Sequence, residues 1–191
     1  SCMVPCTPRD AFGNAALYDP ATGPAIVGFS AQPTGGSALV ATIADKLDGT
    51  VDLVFNPTEA TQFGLRLTWH AQMTPTDFRD IAVHQLNVLP FVTSTQNCVA
   101  TGTGLTEVAM AGVDGEFTII AKDRYDNLIR GGGDVFALEY AGAQSLSVLD
   151  NADGTYIAKY IITAVGVHSL IVARAGYDIA GSPLSIQIEA N

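Results

Sequence analysis

From residue 116 onward, apolar and polar positions alternate with a period of two in short runs separated by Gly, Asp, Asn or Pro. The runs read "EFTIIAKD" (116–123), "VFALEY" (135–140), "SLSVLD" (145–150), "GTYIAKYI" (154–161), "VHSLIVAR" (167–174) and "SPLSIQIEA" (182–190). "GLTEVAMAGV" (104–113) adds a further short strand candidate, which brings the total to seven. Many short alternating segments with a turn between each pair predict an antiparallel sandwich of immunoglobulin-like type. Successive side chains on a strand point to opposite faces. Tyr156, Ala158 and Tyr160 therefore share one face, and Ile157, Lys159 and Ile161 the other. The uncharged face is the expected core face.

The same layout occurs twice. "DNADGTYIAKY" begins at 150 and "DKLDGTVDLVF" at 45, an offset of 150 − 45 = 105. Val51, Leu53 and Phe55 align with the core set, and Asp52 falls on the opposite face. "FGLRLTW" (63–69) aligns with "VHSLIVA" (167–173), and "PTDFRDIAV" (75–83) with "GSPLSIQI" (181–188) after a one-residue shift. "PRDAFGN" (8–14) aligns with "AKDRYDN" (121–127) at an offset of 113, so 113 − 105 = 8 extra residues lie between these anchors, around "ALYDPATGP". A repeat of this period predicts tandem units rather than one large domain. The expected division is a first domain over 1–89, a short linker over 90–97 and a second domain over 98–191. In this register "CMVPCTP" is the second strand of the first domain, and the counterpart of "GLTEVAMAGV" is missing. The expectation is a piece of a longer polypeptide, or a first strand supplied from elsewhere.

Composition narrows the possibilities. With 48% hydrophobic and 15% charged residues, the chain is not of the disordered class. A formal net charge of −10 argues against a nucleic-acid partner, whose phosphates call for a basic footprint. The sequence holds no apolar run of about 18 residues, so direct membrane insertion of this segment is not expected. The chain has 3 cysteines, too few for a disulfide scaffold. Cys2 and Cys6 would lie about 13 Å apart on one strand, beyond disulfide reach. Asn56-Pro57-Thr58 is ruled out as a glycosylation sequon by its proline. Both features favour a reducing, cytoplasmic or cytoskeletal compartment.

Candidate chemistry is sparse. "DNADG" has acids three apart but lacks the alternating oxygens and the Glu at position twelve of a calcium loop, so it reads as a hairpin corner. His70, His84 and His168 form no metal-ligand pattern with Cys or acids, and His168 is expected to pack at the core edge. "GTGLTE" and "RGGGD" lack the Lys-Ser/Thr of a phosphate loop and read as strand-entry turns. No Gly-x-Ser-x-Gly elbow is present. Neither an enzyme nor a cofactor is expected.

Residues 98–190 resemble a filamin-type immunoglobulin-like repeat. The matching residues are "C.A.G.GL" from Cys98 to Leu105, "AG" at 111–112, and "F.I.AKD...N" from Phe117 to Asn127. They continue with "GGD.F.L" from Gly132 to Leu138, "DGTY...Y" from Asp153 to Tyr160, "G.H.L.V" from Gly166 to Val172 and "I.GSPL" from Ile179 to Leu184. The first half is similar only from "RDAFGN" onward, as a degenerate, N-terminally incomplete copy. The resemblance implies an all-β chain of two tandem antiparallel sandwiches. It implies mechanical spacing and partner binding in a scaffold or cytoskeletal assembly. The partners it implies are proteins: extended peptide segments that add a strand beside the third strand, or neighbouring repeats. Actin association would come only through other parts of the parent.

Carried onto this sequence, the implied groove lies between Val135–Tyr140 and Ser145–Leu149, with Val135, Ala137, Glu139, Ser145, Ser147 and Leu149 facing it or solvent. Phe136, Leu138, Leu146 and Val148 are expected to face the core. The first-copy counterpart would lie near Ala25–Ser30 and Ala38–Ile43. The glycine-rich turn before the third strand also resembles filamin-like repeats of gamete-surface adhesion proteins, an alternative setting.

Overall fold

The computed structural model describes residues 2–6, 29–34, 41–46, 50–70, 78–141 and 145–191. The chain divides into two compact units, Ser1–Leu89 and Pro90–Asn191. Structure is mostly β, and among the described residues all the strand pairs but one are antiparallel.

The first unit contains β1 (Cys2–Cys6), β2 (Phe29–Thr34), β3 (Ala41–Asp45), β4 (Val51–Phe55), β5 (Gln62–His70) and β6 (Phe78–Asn87). They form two sheets with strand orders β1-β4-β3 and β2-β5-β6. Leu53 and Phe55 are buried, as the repeat predicts. Asp52 points the other way yet is largely covered, and its carboxylate pairs with Lys46 Nζ at 2.9 Å. "PRDAFGN", "ALYDPATGP" and parts of the first-copy groove (25–28 and 38–40) lie outside the described residues.

The second unit contains β7 (Val99–Thr101), a one-turn helix α1 (Thr103–Thr106), β8 (Ala109–Met110), β9 (Asp114–Ile120) and β10 (Phe136–Glu139). It continues with β11 (Ser145–Asp150), β12 (Thr155–Ile161), β13 (Gly166–Arg174), β14 (Tyr177–Asp178) and β15 (Leu184–Glu189). One sheet has the order β11-β12-β9-β7, the other β10-β13-β15-β8, with β14 paired to β13. Tyr156, Ala158 and Tyr160 are buried between them, with Phe117, Ile119, Phe136, Leu170, Val172, Ile186 and Ile188. Each fully buried side chain of this size contributes roughly 1.5–3 kcal/mol. Phe136 and Tyr156 pack with ring centroids 4.8 Å apart, a tilted aromatic pair.

The segment 104–113, expected as one strand, divides. α1 carries the chain from the first sheet to the second, and β8 then pairs parallel with β15. The crossing passes close over β9: a Cβ on Gly104 would lie 2.2 Å from the Glu116 carbonyl oxygen. Tyr160 locks the crossing by donating its hydroxyl to the Gly104 carbonyl at 2.5 Å. Alternation fails here because the segment changes sheets, so no single face persists along it.

Residues 90–97, expected as a linker, are hydrogen-bonded into the second unit. Phe91 N–H donates to Asp123 Oδ2 at 2.9 Å, and Ser94 N–H to the Lys122 carbonyl at 2.8 Å. Arg174 clamps the same segment. Its Nε donates to Asp134 Oδ1 at 2.7 Å and its Nη1 to the Thr93 carbonyl at 3.4 Å, while the Thr93 hydroxyl donates to Asp134 Oδ2. Proline and threonines gave these residues a linker-like composition, but their partners lie far along the chain.

Candidate functional site

β10 and β11 are edge strands of opposite sheets and run beside each other. Among the described residues no strand pairs with the outer side of either. The backbone available at these edges follows from strand parity. In an antiparallel ladder each residue aims its N–H and C=O to one side, and its neighbours aim theirs to the other. Val172 N–H donates to Ser182 Oγ at 2.9 Å and its C=O accepts from Ile179 N–H at 3.0 Å, so Val172 faces away from β10. Its partner Leu138 is therefore not hydrogen-bonded to β13 and aims both groups at the open edge. Phe136 does the same, whereas Ala137 and Glu139 bond to Ala173 and Ile171. On β11 the corner bond from Asn151 N–H to the Thr155 carbonyl sets the phase. Ser145, Ser147 and Leu149 bond to β12, and Leu146 and Val148 aim their backbone groups outward.

Side-chain direction changes the composition of the site. The six residues expected at the groove are placed as follows. Val135, Ala137 and Glu139 are exposed on the outer face of one sheet, and Ser145, Ser147 and Leu149 on the outer face of the other. The two sets point away from each other and cannot line one groove. The residues between the two edges are the half-buried inward ones: Leu138, Tyr140, Leu146 and Val148, which pack against the core. The alternation had already marked Leu138, Leu146 and Val148 as inward. An inward residue on an edge strand is only half covered, and that makes it available to a partner.

Both ends of this strip are fixed. At one end, the "RGGGD" loop receives the carboxylate of Asp150. Gly133, at φ +105°, donates its N–H to Asp150 Oδ2 at 2.7 Å, and a Cβ on Gly132 would lie 2.4 Å from the same carboxylate. Asp134 N–H donates to the Tyr156 hydroxyl at 3.1 Å. At the other end, the Tyr140 hydroxyl lies 2.7 Å from His168 Nδ1, and His168 Nε2 lies 2.7 Å from the Ala164 carbonyl. The two rings meet edge to face, which gives His168 the packing role expected of it.

Placing proline at Ala137 tests the parity directly. That substitution removes a donor from the β10–β13 ladder, not from the open edge, and should cost about 3 kcal/mol of stability in urea unfolding. If Ala137→Pro left stability unchanged and abolished only partner binding, the edge assignment would be reversed.

The other candidate positions are placed as follows. Cys98 is buried with its thiol donating to the Ser94 carbonyl at 3.3 Å, and burial pushes its pKa up, against a reactive role. His70 and His84 lie on β5 and β6. Among the described residues no group of His, Cys, Asp and Glu is arranged to hold a metal ion. The "DNADG" stretch is the expected corner: Asp150 Oδ1 accepts from Ala152 N–H at 2.7 Å and Asp153 Oδ1 from Thr155 N–H at 2.9 Å. Among the described residues no helix is long and apolar enough to cross a membrane.

Two facing sheets with this strand order, closed by a first segment that pairs with both, define an immunoglobulin-like sandwich. Residues 92–185 match the Filamin/ABP280 repeat, and this part of the chain belongs to that family, whose repeats are structural and non-enzymatic. The chain is similar to Filamin-C of Mus musculus, at 30% identity over 160 residues, covering 82% of this chain and 5% of that protein. It is also similar to the flagellar outer arm dynein alpha chain of Chlamydomonas reinhardtii, at 33% identity over 106 residues, 50% of this chain and 2% of that one. The chain thus spans only about 5% of the length of the Filamin-C relative. Among solved structures, the Escherichia coli adhesin FdeC shares the fold at TM-score 0.56 and 20% identity, over 98% of this chain and 59% of the other. The family match of residues 92–185 supports a non-catalytic interaction module.

Proposed function

We propose that the second unit binds an extended segment of a partner protein along the open edge of β10, with alternate side chains of that segment resting on Leu146 and Val148. The repeat pair spaces neighbouring domains in a scaffold or cytoskeletal assembly. The observation that carries this reading is the juxtaposition of the free β10 edge with the half-buried apolar strip. Backbone groups of Phe136 and Leu138 supply affinity without regard to sequence, and the strip selects apolar residues at every second position. Similarity to Filamin-C and to a flagellar dynein chain favours a structural setting. An adhesive setting is the second reading, supported by the glycine-rich turn at 131–133. Protease shaving of intact cells separates the two, since only an adhesive segment is cleaved before lysis.

Binding is tested with peptides selected from a random displayed library against the whole 191-residue chain. Val148→Glu, at the strip, should weaken the selected peptides about tenfold or more, and Leu149→Glu, on the outer face, should leave them unaffected. The reverse ranking would place the site on the outer face of the sheet and overturn the proposal.

A further inference from the structure

The inward-facing row of β11 does not end with Leu146 and Val148. In the β11–β12 pairing Leu146 stands opposite Tyr160, Val148 opposite Ala158 and Asp150 opposite Tyr156, and all three of those partners are buried. Asp150 therefore shares the inward parity of the two apolar residues, yet it is exposed where they are half-buried. The row offers a partner two apolar contacts and then a carboxylate.

That carboxylate is held in place. Its Oδ1 accepts from Ala152 N–H at 2.7 Å and its Oδ2 from Gly133 N–H at 2.7 Å. It also lies against Gly132, where a Cβ would stand 2.4 Å from either oxygen. Both donors are neutral backbone amides, so the negative charge is oriented but not cancelled, and an ionised carboxylate has acceptor sites to spare. A group already fixed loses little freedom when a cation arrives. The formal net charge of −10 on the chain favours the approach of a cationic segment.

The two edge strands are in step. The Phe136 and Tyr156 rings pack at 4.8 Å, and Tyr156 pairs with Asp150, so Phe136 and Asp150 lie at one level of the sandwich. Two residues further along each strand come Leu138 and Val148, and two more bring Tyr140 and Leu146. In a strand added to β10, the residues directly opposite Phe136, Leu138 and Tyr140 face inward. They meet Asp150, Val148 and Leu146 in turn.

We propose that the segment bound at this strip sets a Lys or Arg side chain on Asp150, with apolar residues two and four positions away from it. A strand antiparallel to β10 would carry apolar-x-apolar-x-basic, and a parallel one basic-x-apolar-x-apolar. This rests on the binding reading given above and adds the partner's charge and spacing to it.

The test uses peptides selected from the displayed library against the whole chain, each made a second time with methionine in place of its basic residue. Peptides bound at the strip are those that slow amide exchange at Leu138. For these, loss of the cation should weaken binding to the native chain about tenfold, and the difference should shrink as salt rises. Against Asp150→Asn the same loss should cost no more than about twofold. Against Glu139→Gln, which neutralises an outward acid on the neighbouring strand, it should still cost about tenfold. The comparison on the native chain decides the matter even if Asp150→Asn disturbs the loop at 131–133. Peptides that protect Leu138 without the spaced cation, or that lose equally on native and Asp150→Asn chains, would overturn this inference and leave strand binding standing. Failure of every selected peptide to protect Leu138 would overturn the binding reading and this inference with it.

Discussion

Replacing Asp123 by alanine should lower the unfolding free energy of the second unit by about 4 kcal/mol, a large share of a small domain's stability. Asp123 is fully buried, and its carboxylate accepts from Phe91 N–H at 2.9 Å, Tyr125 N–H at 2.8 Å, Asn127 N–H at 3.0 Å and Asn127 Nδ2 at 2.8 Å. Alanine would leave these donors without an acceptor in a site that excludes water. It would also free the segment carrying Phe91 and Thr93, which the carboxylate ties to the turn after β9. Arg124 stacks on Phe91 at 4.7 Å and on Tyr125 at 4.7 Å, so that outer cover should loosen too. Asp123→Asn is the informative companion. It keeps the shape but points an NH₂ at donors, and should cost nearly as much. Urea unfolding followed by circular dichroism and by the amide signals of β9 and β12 measures both variants.

Asp123 also gives the unit a pH dependence of known sign. Burial alone would raise its pKa, but the hydrogen bonds from Asn127, Phe91 and Tyr125 outweigh that and hold the carboxyl below its ordinary value. A group whose pKa is depressed on folding contributes stability above its unfolded pKa, about 3.9 for Asp, and that contribution is lost as pH falls through the folded value. The native chain should therefore lose stability in acid below about pH 4, with a slope that Asp123→Ala removes. An unchanged acid slope in the variant would mean that other carboxylates govern the transition.

The second large effect belongs to Gly154, in the corner that both repeats share. Its φ is +89°, and a Cβ there would lie 1.8 Å from the carbonyl oxygen of Ile129. Gly154 accepts a hydrogen bond from Ala121 N–H at 2.9 Å, and Ile129 N–H donates to the Ala121 carbonyl at 3.0 Å. Any shift that relieves the collision pulls apart a three-way junction between β9, the loop before β10 and the β11–β12 corner. Gly154→Ala should cost about 3–5 kcal/mol. Gly112 isolates the contribution of backbone conformation: it has φ +78° and nothing within 4 Å of its Cβ position. Gly112→Ala should cost about 1 kcal/mol. Equal losses in the two variants would show that conformation, not the collision with Ile129, sets the effect.

These residues show where the sequence was readable. The Asp-Gly-Thr corner and the inward set Tyr156, Ala158 and Tyr160 were legible because each is local: a turn dictates its own residues, and alternation dictates a face. The Asp-x-x-x-Asn spacing of Asp123 and Asn127 was visible as well, but its tie to Phe91 spans 32 residues and depends on how the chain returns. The sheet-changing segment 98–110 and the docked stretch 90–97 were hidden for the same reason. At the candidate site the alternation separated inward from outward residues correctly. It could not reveal that β10 and β11 end opposite sheets, and that fact moves the proposed site from the outward set to Leu138, Tyr140, Leu146 and Val148.

The most direct test of strand addition is amide exchange at Leu138 in the presence of a selected peptide, with Ala137 as the internal reference. Leu138 aims its N–H at the open edge, so a bound strand should slow its exchange about tenfold or more and leave Ala137, already bonded to β13, unchanged. Protection appearing instead at β8 and β15, with Leu138 unaffected by a peptide that still binds, would contradict it.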